Sequence, residues 1–166
     1  MMIIVSGLPG SGKSYFAENL AIQLGAAYIN SDRERNSMGA RGRYSYEQKL
    51  SIYVAMARKT RQLLESGKHV VVDATFYRSE MIELFKGVAK DCRCPIWFFK
   101  IEANDDLIRE RIGKPRKDSE ANYNVYLKIK DQFEKLNVPH LILRSQRNNI
   151  KAMLNSALEY IGLRHE

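Results

Sequence analysis

A chain of 166 residues with an apolar fraction of 45% can bury one α/β core and is too apolar to be disordered. Its 27 Lys and Arg against 19 Asp and Glu leave a net charge of +8, spread without a polybasic block; this fits a plain basic surface or an anionic ligand such as a nucleotide or nucleic acid. No stretch approaches the roughly 20 apolar residues of a membrane span.

The apolar opening at residues 1–5 lacks the charged flank of a signal peptide, and Cys92 and Cys94 are too close for an unstrained bridge. A cytoplasmic protein with inert thiols and no membrane partner is expected. No repeat, low-complexity tract or linker divides the sequence, so residues 1–166 are expected to form one domain.

Residues 2–6 read as a buried, β-branched first strand. A Gly-rich loop follows. A helix over 14–24 carries Phe16, Leu20 and Leu24 inward and stops at Gly25. Residues 27–30 form a second strand, and 31–43 are irregular and polar. Ser45 and Gln48 make a capping box for a helix with Leu50, Tyr53, Val54, Ala57 and Leu64 on one face, ending at Gly67.

A strand over 69–73 ends in Asp73. Ser79 caps the next helix, whose inward face is Met81, Ile82, Phe85, Val88 and Ala89. A strand over 95–101 contains Trp97, Phe98 and Phe99. Asn104 caps a helix reaching about Ile112, with Asp105 and Asp106 favourable in its first turn. The basic stretch 113–117 reads as a loop. Ser119 starts another helix, ended near Asn137 and Pro139. Residues 140–143 form the last strand, and Ile150, Met153, Leu154, Ala157, Leu158 and Ile161 stripe a final helix closed by Gly162. Alternating strands and helices predict a five-stranded parallel sheet covered on both faces.

The loop Gly7-Leu8-Pro9-Gly10-Ser11-Gly12-Lys13-Ser14 matches G-x-x-x-x-G-K-[ST] in full and sits between a strand and a helix, as a phosphate cradle must. Its glycines let successive N–H groups point at phosphate oxygens, and the following helix aims its positive end there. Lys13 can reach the β- and γ-phosphates, and Ser14 can ligate Mg²⁺. ATP and Mg²⁺ are therefore the implied cofactors, held by Gly7, Pro9, Gly10, Ser11, Gly12, Lys13, Ser14 and Tyr15. Tyr15 stands where P-loop proteins often carry a Thr that touches the α-phosphate, so affinity should rest more on the backbone.

Asp32 lies just past the second strand, at the carboxyl edge where parallel sheets bind ligands. It suits either a base that accepts a hydroxyl proton or a cap for a short helix. Arg35 follows one helical turn later and could neutralise a phosphate. Arg41, Arg43 and Tyr44 form a basic-aromatic tract that suits an anionic acceptor or a solvated loop equally. Asp73 is placed for a second, water-mediated Mg²⁺ contact, or simply ends its strand. Thr75, Tyr77 and Arg78 should share its rim. Cations over the phosphates come from Arg109, Arg111, Lys114, Arg116 and Lys117, with Arg111 and Arg116 preferred as arms of a mobile lid over about 105–122.

The segments Val5-Ser6-Gly7 through Ser14, Asn30-Ser31-Asp32-Arg33-Glu34-Arg35 and Val71-Val72-Asp73-Ala74-Thr75-Phe76 together resemble the P-loop kinase family that includes the phage polynucleotide kinase domain and zeta-toxin-like kinases. Asp118-Ser119-Glu120-Ala121 is similar to a segment of ATP-binding domains fused in some bacteria to an aminoglycoside-phosphotransferase-like domain. The resemblance spans residues 2 to about 144. It implies a sheet in order 2-3-1-4-5 with a helical lid, Asp32 as general base, Arg35 as the acceptor-side phosphate contact, and a lid arginine at Arg109, Arg111 or Arg116. The expected activity is ATP-dependent phosphorylation of a hydroxyl group. The acceptor is either a nucleic acid 5′-hydroxyl or a nucleoside, sugar or antibiotic-like small molecule. The competing reading is a nucleotide-dependent binding module or ATPase without a dedicated acceptor.

Overall fold

The computed structural model describes residues 1–114 and 122–163. Strands β1 (Met2–Ser6), β2 (Ala27–Asn30), β3 (Val70–Asp73), β4 (Ile96–Glu102) and β5 (Leu141–Arg144) pair in parallel in the order β2-β3-β1-β4-β5, as expected. The helices are α1 (Lys13–Leu24), α2 (Ser31–Ser37), α3 (Tyr46–Glu65), α4 (Ser79–Asp91), α5 (Asp105–Ile112), α6 (Tyr123–Gln132) and α7 (Ile150–Tyr160).

Every residue of β1 and β3 is buried, which is why both strands read as unbroken apolar runs. Strand alternation then sorts their side chains into two layers. Met2, Ile4, Val70 and Val72 pack with Ile52 and Met56 of α3 and with Met81 and Phe85 of α4. Ile3, Val5 and Val71 pack with Phe16 and Leu20 of α1 and with Ala157 and Leu158 of α7. The parallel register brings the carboxyl ends of β1, β2 and β3 together: Val5 lies beside Asp73, and Asn30 lies beside Asp73 on the other side.

Three local expectations are corrected. The stretch 31–43 was expected to be irregular, yet residues 31–37 form α2. Its sequence has no apolar stripe to reveal a helix. The helix is started instead by Asn30, whose side chain accepts the Arg33 N–H at 3.0 Å, with Asp32 and Glu34 in the first turn. Asn30, rather than Asp32, is thus the cap.

Ser79 is the first residue of α4 rather than its cap. The Glu134 carboxylate, from a distant segment, accepts the Ser79 N–H at 2.9 Å and a guanidinium N–H of Arg78 at 3.2 Å. Ser119, the expected start of the next helix, lies outside the described residues. Helix α6 begins at Tyr123 behind an Asn122 cap and ends at Gln132, short of Asn137. Phe133 turns extended there because Glu134 is drawn to α4: its N–H donates to the Tyr77 carbonyl at 2.8 Å while its carboxylate caps the helix.

Two carboxylates thereby hold the α6 region in place. Glu134 is pushed below the usual carboxylate range, first by the Ser79 N–H and then by Arg78. Asp105 is pushed down by its bonds from Tyr126 and Lys130, at 2.7 and 3.2 Å. A folded-state pKa below the unfolded value means stability that is complete above that unfolded value, about 4, and lost as pH falls through the folded one. The urea midpoint of the wild type should therefore fall more between pH 7 and pH 3 than that of the Glu134→Gln/Asp105→Asn double variant. Parallel acid profiles would refute these clasps.

Candidate active site

The loop at residues 7–14 joins β1 to α1. A Cβ on Gly7 would lie 2.6 Å from the Ile101 carbonyl oxygen, so the chain leaves the sheet against β4 with no room for a side chain. Gly12 caps α1 with φ of 92°, in the left-handed region, where a Cβ would also meet the Ser145 hydroxyl at 2.8 Å and the Arg111 guanidinium at 3.0 Å. A glycine cap offers no side-chain acceptor, which leaves the first N–H groups of this 12-residue helix open to an anion. Arg111 stands beside the loop, donating to the Gly10 carbonyl at 3.3 Å and to the Ser145 hydroxyl at 3.0 Å.

Next to the loop, Asp73 is fully buried. One carboxylate oxygen accepts from the Tyr28 hydroxyl at 2.6 Å and the Asn30 amide at 2.7 Å; the other, Oδ1, has no partner among the described residues. Burial, with the Asp73 charge next, pushes the Tyr28 phenol far up, so it stays a donor. The Asn30 amide also reaches Ser14 Oγ at 3.4 Å, which ties the two hydroxyl and carboxylate oxygens to one corner of the cradle. A buried acceptor without a donor, beside a serine hydroxyl and a phosphate loop, is chemically suited to a hydrated hard cation such as Mg²⁺.

Two hollows flank this corner. A groove of about 710 Å³ on the α1–α7 side is lined by Gly12, Tyr15, Arg111 and Arg147. A smaller cleft of about 200 Å³ on the α2–α3 side is lined by Pro9, Asp32, Arg35, Thr75 and Tyr77. Lys13 and Ser14 line both. Inside the small cleft Arg35 donates to Asp32 at 2.9 Å and lies 4.9 Å over the Tyr44 ring.

The wall of the cleft is held by Tyr53, whose hydroxyl accepts the buried Phe76 N–H at 2.9 Å. Phe76 has φ of 50°, a left-handed conformation that is costly for a bulky residue. Its turn carries Thr75 and Tyr77 into the cleft. Tyr53→Phe should destabilise the fold by about 1–3 kcal/mol, the cost of an orphaned buried N–H. Denaturant unfolding measures it, and an unchanged midpoint would show that the turn stands without the hydroxyl.

Of the residues singled out from the sequence, the structure brings together Lys13, Ser14, Asp32, Arg35, Asp73, Thr75, Tyr77 and Arg111. Tyr15 lies 65% exposed at the edge of the large groove. Arg78 is drawn to Glu134 instead of the rim. Arg109 binds the Tyr123 hydroxyl at 2.7 Å, and Lys114 pairs with Glu110. Arg116 and Lys117, with the centre of the expected lid, lie outside the described residues. The sequence reading missed Asn30, Lys49, Tyr53, Lys128, Ser145 and Arg147. Only Asn30, the polar end of a buried strand next to an acidic turn, carried a signal that could have been read.

The 2-3-1-4-5 parallel sheet with its glycine loop at the end of β1 defines a P-loop fold of the kinase type. The chain belongs to the AAA domain family, whose model matches residues 2–136. It is 30% identical over 123 residues to uncharacterized proteins of Mycobacterium tuberculosis and Mycobacterium bovis, covering 67% of this chain. The chain spans about a quarter of the length of these curated relatives, since the match takes in 25% of each.

Among solved structures it resembles Chaetomium thermophilum Kti12 in complex with ADP-AlF3, with a TM-score of 0.77 and 18% identity over 98% of this chain and 97% of that one. It also resembles the Mycobacterium tuberculosis APS kinase CysC in complex with AMPPNP and APS, with a TM-score of 0.74 and 19% identity over 97% and 96%. A sugar kinase from Janibacter sp. has a TM-score of 0.74 and 15% identity over 99% and 98%. These likenesses establish the fold. No helix among the described residues is long and apolar enough to cross a membrane.

Proposed function

We propose that this chain, acting as one kinase-like unit in the cytoplasm, binds ATP with Mg²⁺ and transfers the γ-phosphate to a hydroxyl acceptor. The observation that supports this most directly is the meeting of two hollows at Lys13 and Ser14, a large one beside the phosphate loop and a small one beside Asp32. Transfer needs two ligands on opposite sides of one phosphoryl group, and this arrangement supplies both seats.

In this reading the nucleotide occupies the large groove. The backbone amides of residues 10–14 hold its β-phosphate, and the Lys13 ammonium neutralises the β- and γ-phosphates. Ser14 and Asp73 would hold Mg²⁺, which when bound offsets further phosphate charge. Arg111 adds positive charge from the nucleotide side; Arg116, the other arginine expected there from the sequence, lies outside the described residues. Asp32 orients the acceptor hydroxyl and takes its proton, and Arg35 contacts the acceptor.

The relatives of known fold lend support: one is a sugar kinase and another an APS kinase. The polynucleotide-kinase-like motifs keep a nucleic acid 5′-hydroxyl among the acceptor classes, beside nucleosides, sugars and aminoglycosides. The test is a transfer screen with γ-labelled ATP and Mg²⁺ over those four classes. A labelled, acid-stable ester product is expected. Slow hydrolysis with no labelled acceptor would instead make the chain an ATPase or a nucleotide-dependent binding module.

A further inference from the structure

The small cleft carries a charge that phosphoryl transfer alone does not require. Lys49 of α3 and Lys128 of α6 line it together with Arg35 of α2, and among the described residues that line it Asp32 is the one carboxylate. Lys13 also lines it, but the nucleotide claims that charge. Arg35 is already bound to Asp32, and its side chain is only 9% exposed, with Nε left without an acceptor among the described residues. That leaves two lysines facing a buried guanidinium around a recess of about 200 Å³.

Some lysines elsewhere are paired: Lys59, Lys86, Lys114 and Lys130 pair with Glu34, Glu83, Glu110 and Asp105. Lys68, Lys90, Lys135 and Lys151 have no carboxylate partner among the described residues, but none of those four lines this cleft. Lys49 and Lys128 have no carboxylate partner among the described residues. Lys49 is half-buried with its ammonium 5.0 Å over the Tyr77 ring, and its pKa is pushed down by burial and by the nearby charges of Arg35 and Lys128. Like charges brought together in a partly desolvated recess are unfavourable until an anion joins them. Three separate helices contribute to this convergence, which an accidental surface patch does not need.

We propose that the acceptor is a small molecule that already bears an anionic group, a phosphate, sulfate or carboxylate, seated between Lys49, Lys128 and Arg35 with its reacting hydroxyl at Asp32. This rests on the phosphotransferase reading above. The recess is smaller than the roughly 300–1,000 Å³ of drug-sized ligand sites, and it favours a compact molecule over a polymer end. Tyr44 and Tyr77 line the recess beside these cations, with Arg35 4.9 Å over the Tyr44 ring and Lys49 5.0 Å over the Tyr77 ring. In the reaction the acceptor oxygen forms a bond to the γ-phosphorus as the bond from that phosphorus to the β,γ-bridging oxygen breaks. ADP leaves with the electron pair, and the hydroxyl proton passes to the Asp32 carboxylate.

The test uses the whole chain saturated with AMPPNP, so that the γ-phosphate seat is filled. Matched pairs are then added: sugar phosphates against sugars, nucleoside monophosphates against nucleosides, hydroxy acids against polyols, and a 5′-hydroxyl oligonucleotide. Binding is read by calorimetry, and transfer by γ-labelled ATP. The charged member of at least one pair should bind and be phosphorylated in preference to its neutral parent, and the phosphate and carboxylate arms show which anion is native. Lys49→Met/Lys128→Met should weaken that binding at least about tenfold while AMPPNP still binds, and Lys49→Arg should keep it.

Equal or better use of neutral acceptors, preference for the oligonucleotide, or binding of no anion by the AMPPNP complex would each overturn the proposal while leaving the phosphotransferase reading in place. Failure of AMPPNP itself to bind would remove both.

Discussion

Lys13→Ala should abolish phosphoryl transfer and weaken ATP binding by roughly ten- to a hundredfold, the worth of about 1.5–3 kcal/mol for a hydrogen bond to a charged group. Lys13 lies at the boundary between the two hollows, the one place where an ammonium can serve the nucleotide and the transferring group together. The amides of the loop and the start of α1 remain in the variant, so binding should weaken without disappearing. Fold loss is not expected, because the Lys13 side chain packs in neither core layer. Calorimetry with AMPPNP measures the affinity and a γ-label assay the transfer. Wild-type affinity and turnover in Lys13→Ala would show that the loop is not the phosphate seat.

Asp32→Asn should leave ATP affinity nearly unchanged and lower turnover by about 10²–10⁴, the usual worth of a general base. The residue lines the small cleft and is absent from the large groove, so its loss is felt on the acceptor side. Asparagine keeps the shape and an oxygen for Arg35, and removes the basic carboxylate. Phosphoryl transfer with a loose transition state gives the base less to do, which would bring the loss toward the lower end of the range. A variant that loses ATP binding but keeps its residual turnover would assign Asp32 to the nucleotide instead.

Much of this protein was legible in its residues. The valine and isoleucine runs at 2–5 and 70–72 could only be strands buried on both faces, and they are. The glycine loop was legible because its pattern is local: glycines, a lysine and a serine within eight consecutive residues between a strand and a helix. Asp32 and Asp73 were singled out because one lies two residues past a strand and the other ends one, and a parallel sheet presents those ends on one edge. The capping box at Ser45 and Gln48 and the cap at Asn104 are likewise local, and both formed.

What the tertiary structure decided depends on residues distant in sequence. Asn30 matters because strand pairing sets its amide between Ser14 and Asp73. Helix α6 stops early because Glu134 is claimed by α4 across 55 positions. Tyr53 matters because its hydroxyl meets a strained turn 23 residues away. The cationic recess arises because α2, α3 and α6 each bring one basic side chain to the same opening. On its own helix each of those lysines is indistinguishable from a solvated one. Periodicity reports which face of an element is apolar, but the partner of a polar side chain is set by how elements pack, so the local pattern carried the sheet and the glycine loop, and the packing decided the small cleft.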